Sequence, residues 1–407
     1  MPQDHLLECA ECGCQVADYL ANHLLEVHNM SVADYLVKYP GSETISSRLW
    51  EQYQEKARDV KRGHPTDPTS LKVTMSDFTF KVNADVPASD CLPLPYCYRT
   101  PVLGDLGNDI RHILLALKKS RSLYVWGMPG SGKDAVFHAW SAVTRQPAII
   151  KQIGPDSDVQ SWFYSRSFNQ NGTYWQEGPL LKALRDGYLT STGRRIPYLI
   201  LISDFDRASS TQAESLRLVV DSIQGRVEGP EGTVFPVFPG TIIVATANTA
   251  GGGDERGRMT SAQPIDASLR ERWERTIQAH WMDWGDEHLI LTDKFPLLIK
   301  RSPSVLLKMK EVTKHLREAI YKDVLHAEFS HRALCSIMGH AQDILEITGV
   351  LSADLLREAS RVWVDSLPDE QTRQGARNIM DPKLGTLAEG DVSHIHMGEL
   401  GRPKGKK

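Results

Sequence analysis

The run Gly127-Met128-Pro129-Gly130-Ser131-Gly132-Lys133-Asp134 fits the phosphate-cradling pattern G-x-x-x-x-G-K-[ST] except at its last position, where a carboxylate replaces the hydroxyl. Glycines let backbone N–H groups turn toward an anion, and a following helix adds the positive end of its dipole. Gly127, Pro129, Gly130, Ser131, Gly132, Lys133 and Asp134 are therefore the expected nucleotide-binding residues, with Lys133 bridging the β- and γ-phosphates. A second chemical group follows the apolar run Tyr198 to Ile202, which ends in Ser203-Asp204-Phe205-Asp206. Acidic residues at the carboxyl end of a buried parallel strand sit at the mouth of the sheet, beside bound phosphates. The apolar run Thr241 to Ala247 ends in Asn248, whose amide can orient a water there. Arginines follow at Arg270 and Arg272, after one helical turn, and at Arg332, near the start of a late helix.

Separate from these, Cys9-x-x-Cys12 precedes His23-x-x-x-x-His28, with both histidines on a segment of helical character. Two thiolates and two imidazoles make a closed tetrahedral set that suits structural Zn²⁺, and Cys14 is a candidate substitute ligand. The spacing resembles that of prokaryotic Ros/MucR-type C2H2 fingers, as does the stretch from His28 through Tyr35 to Pro40. In that group the finger binds DNA. Here the helix offers Asn22 and Glu26 and no arginine between the histidines, so phosphate and base contacts are poorly supplied and a protein-docking or structural role is at least an equal expectation.

Positioning these residues requires strands before the glycine loop and the acidic pair, and helices after them. Ser122 to Trp126 reads as a buried strand and Ala135 to Val143 as a helix, which is the strand, loop and helix context of a phosphate site. The chain has 407 residues, 41% of them apolar and 24% charged, ordinary values for a globular protein of two or three domains. A net charge of −4 argues against a surface built throughout for nucleic acid, although Arg402, Lys404, Lys406 and Lys407 form a basic tail. No apolar run reaches the roughly twenty residues of a membrane span, and the first residues lack a signal-peptide pattern, so the expected location is the cytoplasm of a bacterium or of a phage-infected host. Six cysteines, three of them within 9–14, suit a metal site plus free thiols better than a disulfide framework.

In order, these motifs resemble Walker A, Walker B, sensor 1, arginine finger and sensor 2 of AAA+ ATPases. The segment Gly172-Thr173-Tyr174-Trp175-Gln176-Glu177-Gly178-Pro179-Leu180-Leu181 through Leu184 is similar to that of the MoxR branch. Ala245 to Thr249, followed by Gly251, Gly253 and Asp254, and then Glu271-Arg272-Trp273, look most like the ATPase subunit of cobaltochelatase, as does the stretch from Phe80 to Pro95. The resemblance covers roughly residues 75 to 365 and implies an α/β fold: a P-loop parallel sheet sandwiched by helices, with a C-terminal helical lid behind a small N-terminal zinc module. It implies ATP and Mg²⁺ as ligands, Lys133 on phosphate, Asn248 as sensor 1, Arg272 as the finger reaching a neighbouring subunit's nucleotide with Arg270 as its rival, and Arg332 as sensor 2. It also implies a homo-oligomer, a hexameric ring. Trp162, Phe163, Tyr164 and Phe168 fall in a region that in the family faces the pore, where aromatics could grip a client or pack locally.

Two positions depart from the family. Where family members carry Asp then Glu after the second strand, this chain has Ser203 and Asp204, and Asp134 stands where Ser or Thr touches Mg²⁺. Hydroxyl and carboxylate have changed places across the metal, leaving Asp134 and Ser203 as the magnesium ligands and Asp204 as the catalytic base. The expected organisation is a zinc-finger module and helix over 1–60, a linker and lead-in segment over 61–100, the ATPase domain over 101–283, the lid over 284–367, and an extended or disordered tail over 368–407. The expected function is ATP hydrolysis by a ring that remodels a protein client or partner subunit. A finger-guided DNA-associated ATPase and a slow ATP-binding switch are the alternatives, and a finger fused to this engine points to a phage or mobile element.

Overall fold

The computed structural model describes residues 6–17, 21–28, 30, 35, 38–39, 42, 72–169, 172–253 and 261–385. The segment expected to link the finger to the engine before residue 72, Asp254, and the tail past 385 lie outside the described residues. Strands β1 (Leu6–Glu8) and β2 (Gln15–Ala17) pair antiparallel ahead of helix α1 (Ala21–His28). Leu7, Cys9, Leu24 and Tyr35 form a small core, and the Tyr35 hydroxyl accepts from the Ala10 amide at 2.7 Å. The apolar groups among the described residues are too few to hold a module by themselves.

The larger unit begins at a hairpin, β3 (Lys72–Met75) and β4 (Phe78–Lys81), followed by α2 (Gly104–Lys119) and β5 (Ser122–Trp126). Next come α3 (Lys133–Thr144), β6 (Ala148–Gln152), the hairpin β7 (Tyr164–Asn169) and β8 (Gly172–Glu177), and α4 (Pro179–Asp186). Short β9 (Tyr188–Leu189) and β10 (Arg195–Ile196) lead into β11 (Leu199–Ser203) and α5 (Ser210–Ser222). The hairpin β12 (Arg226–Glu228) and β13 (Val234–Pro236), then β14 (Ile242–Ala247), α6 (Ala267–Arg270) and β15 (Arg275–Gln278), complete it. Five strands form one parallel sheet in the order β15-β5-β14-β11-β6. Side chains alternate across it: Leu123, Val125, Leu199 and Leu201 pack with α2 and α3, whereas Tyr124, Ile200 and Ile202 pack with α4 and α5. Burial on both faces is why these strands read as continuous apolar runs.

Residues 72–100, expected as linker and lead-in, are part of this unit: Met75, Phe80 and Leu92 are buried against α2 and α3. The lid comprises α7 (Trp284–Lys294), α8 (Pro296–Arg301), α9 (Ser304–Tyr321), α10 (His331–Thr348), α11 (Ala353–Val364) and α12 (Glu370–Leu384) around one apolar core. Helix α12 corrects the expectation of an extended chain from 368. Ala376, Met380 and Leu384 recur at helical spacing and are buried, and Asp369 caps the first turn by accepting from the Thr372 amide at 2.8 Å. Charged residues, Gly375 and Pro382 mask that stripe in the sequence. Among the described residues no helix is long and apolar enough to cross a membrane.

Candidate nucleotide site and metal centre

Because the strands are parallel, β5, β11 and β14 all end on one edge of the sheet, with β14 between the other two. The glycine loop leaves β5 there. The Gly127 amide donates to Ala247 O at 3.2 Å, and a Cβ on Gly127 would lie 2.2 Å from Ala279 O, so no side chain fits. Gly132 turns the chain into α3 with φ 85, a left-handed conformation glycine adopts without strain. Lys133, the first residue of α3, is buried, and its Nζ donates to Asn248 Oδ1 at 2.9 Å and to Gly127 O at 3.3 Å. Burial lowers the Lys133 ammonium from its ordinary range, while the charges of Asp134, Asp204 and Asp206 act the other way. Two residues widely separated in sequence, Lys133 and Asn248, are thus brought into contact.

Ser203 closes β11 beside Gln152, the last residue of β6. Asp204 follows with φ 57, and its Oδ2 accepts from Gln152 Nε2 at 2.8 Å, with Arg207 Nη1 at 3.8 Å. Asp206, to which the motif spacing gives no separate role, is buried. Its Oδ2 accepts from the amides of Asn248 at 3.0 Å and Thr249 at 2.8 Å and from the Thr249 hydroxyl at 2.9 Å. That carboxylate fastens the turn carrying Asn248 to the exit of β11. Its only sequence signal is a second acidic residue after an apolar strand.

The arginines are placed differently. Asp266 caps α6 by accepting from the Ser268 amide at 2.7 Å, and the buried Trp273 ring lies edge-on to Phe205, centroids 5.6 Å apart, so α6, which ends at Arg270, and the turn after it, which carries Arg272, are anchored next to Asp204. Arg272 itself is ion-paired with Asp221 on α5. Arg270 is exposed and packs against Gly251. Arg332 is exposed at the second position of α10 and makes no ion pair among the described residues. A Cβ on Gly130 would meet Ser330 Cβ at 2.3 Å, so α10, which carries Arg332 at its second position, begins directly on the glycine loop. Of the aromatics, Trp162 and Phe163 are buried in the core, whereas Phe168 at the end of the β7–β8 hairpin is 81% exposed.

Buried Asp134 Oδ1 and Ser131 Oγ have no hydrogen-bond partner among the described residues. An orphaned carboxylate oxygen one residue past Lys133 fits a divalent cation, a hard ion that takes oxygen ligands. In the finger, Cys9 Sγ lies 3.6 Å from His28 Nε2 and Cys12 Sγ 3.2 Å from His23 Nε2, and one ligand atom from each of the four lies within 4.8 Å of the others. The set is the donor chemistry of tetrahedral zinc. The Cys14 thiol is outside the group, and its carbonyl accepts from the Cys9 amide at 2.9 Å to close the knuckle.

Residues 122–272 match the family described as the AAA domain (dynein-related subfamily), so the chain carries an AAA-family ATPase domain. No curated protein matches the sequence. Among solved structures, the chain is similar to the RuvB Holliday junction branch migration motor of Thermotoga maritima, with 12% identity, 65% of this chain and 72% of that one covered, and a TM-score of 0.41. It is similar to a putative ATPase from Cytophaga hutchinsonii (12% identity, 68% and 90% covered, TM-score 0.32) and to the FIGL-1 AAA domain (15% identity, 70% and 88% covered, TM-score 0.37).

Proposed function

We propose that this AAA-family ATPase is an oligomeric, ATP-hydrolysing motor of the MoxR and cobaltochelatase-subunit type that remodels a protein client. The observation that carries the reading is the convergence at one sheet edge of Lys133, bonded to Asn248, with Asp204 and the orphaned Asp134 oxygen, under the first turn of α10. In this reading the P-loop amides and Lys133 hold the β- and γ-phosphates. Asp134 and Ser203 would hold Mg²⁺, which supplies charge neutralisation between the phosphates. Asp204, released from Gln152, takes the proton of the attacking water, and Asn248 positions that water. Arg332 acts on the same subunit's nucleotide. Arg272 reaches the neighbour's γ-phosphate, exchanging Asp221 for it as the ring assembles. The exposed Phe168 hairpin is the surface offered to the client, and the finger recruits it.

Asp204→Asn removes the base and leaves the phosphate cradle, so the variant should bind ATP, stay assembled and retain its client. The test is affinity purification of this variant with ATP, compared with ADP. A protein enriched only with ATP supports the reading. DNA enriched in its place would favour the finger-guided alternative, and a wild-type protein that binds ATP without turnover would favour the switch.

A further inference from the structure

We infer that Cys335 is a nucleophilic thiol, held among the lid helices and open to covalent modification by hydroperoxides and soft electrophiles. The cluster that surrounds it lies outside the ATP machinery. Glu287 on α7 is fully buried, and both of its oxygens accept from the Arg317 guanidinium on α9 at 2.9 Å. Its Oε1 also accepts from His331 Nδ1 at 2.9 Å, and His331 Nε2 lies 3.3 Å from Cys335 Sγ one turn along α10. Lys294 Nζ is 3.7 Å from the same sulfur. A carboxylate that orients an imidazole, which in turn faces a thiol, is the arrangement by which proteins activate cysteine nucleophiles.

Burial opposes a charge on His331, but its contacts with Cys335 and Glu287 outweigh that and raise its pKa to about 9. The sulfur thus faces the His331 ring and the Lys294 amino group, two basic side chains placed to meet the negative charge it carries when it attacks. A metal is the lesser reading, because His331 commits Nδ1 to Glu287 and leaves two ligand atoms, fewer than a zinc site uses. Cys335 is half-buried, as are Cys91 and Cys97, and neither of those has a histidine partner among the described residues.

With a hydroperoxide, the Cys335 sulfur passes its thiol proton to His331 Nε2 and attacks the terminal oxygen as thiolate: an S–O bond forms, the O–O bond breaks, and the sulfur is oxidised by two electrons to sulfenic acid. The departing alkoxide takes the Nε2 proton of His331 and leaves as the alcohol. The modified residue then sits on the helix whose cap abuts the glycine loop.

The test is alkylation of the full-length, zinc-loaded protein by iodoacetamide at pH 7, read cysteine by cysteine by mass spectrometry. Cys335 should react roughly tenfold faster than Cys91 and Cys97. Hydrogen peroxide followed by dimedone should mark Cys335 first. His331→Asn should remove most of the advantage and Lys294→Met part of it, in protein whose melting shows a folded lid. A Cys335 no faster than Cys97 in the wild type, or an advantage that survives both substitutions, would overturn the inference. No nucleotide enters the measurement, so its failure is separate from that of the ATPase reading.

Discussion

At the scale of single residues, Asp134 and Ser203 are the two positions where carboxylate and hydroxyl stand exchanged in the proposed magnesium shell. If both side chains share one ion, their substitutions cannot act independently. Asp134→Thr alone leaves two hydroxyls and should weaken Mg²⁺-ATP binding. Ser203→Asp alone crowds two carboxylates, whose repulsion should also weaken it. The double change should recover much of the loss, with a coupling of roughly 0.5–3 kcal/mol in titrations of ATP at fixed Mg²⁺. Simple additivity would mean that the two do not share the ion. These residues were legible because motif spacing marks them. Gln152 and Asp206 were not: their importance lies in hydrogen bonds to Asp204 and to the Asn248 turn, made by chain segments that meet only in the folded sheet.

At the scale of elements, the lid and the finger answer to different chemistry. The Glu287, Arg317 and His331 network ties α7 and α9 to the start of α10. Burial works against the Glu287 carboxylate, yet the His331 hydrogen bond and the Arg317 charge hold it below its ordinary range. His331 is raised to about 9 from 6.5, so its stabilising effect is complete below about pH 6.5 and is lost as pH rises through about 9. Melting temperature should fall across that window in the wild type. Glu287→Gln, which leaves the largely buried Arg317 without its charge partner, should lower the free energy of unfolding at pH 7 by about 3–5 kcal/mol and lose most of that pH slope. In the N-terminal Cys/His module four of the described hydrophobic residues are buried together, so stability should rest on the metal. Elemental analysis should find one zinc per chain, and a chelator should unfold residues 6–39 while the ATPase domain keeps its melting transition. Retention of the finger's fold without zinc would contradict this. Sequence periodicity located β5 and β14 to within a residue, because parallel strands buried on both faces are unbroken apolar runs. It passed over α12, whose apolar stripe is one residue wide, and the β3–β4 hairpin, whose buried side chains alternate with exposed ones.

At the scale of the whole molecule, the parallel α/β sheet with a helical lid was legible from the order of its motifs, whereas how far the lid extends was not. In the motor proposed above, the active site is completed by a neighbouring subunit. Arg272 is held by Asp221 in the single chain, and the guanidinium supplied in trans is worth about 10³–10⁵ in rate in phosphoryl transfer. The most direct measurement mixes two inactive proteins. Lys133→Ala cannot hold phosphate, and Arg272→Ala cannot complete its neighbour's site. Each alone should show almost no ATP turnover, and an equal mixture should recover about a quarter of wild-type activity, the fraction of subunit junctions in a random closed ring that pair an intact loop with an intact finger. A mixture as inactive as its components, or an Arg272→Ala protein that hydrolyses ATP at the wild-type rate, would contradict the account.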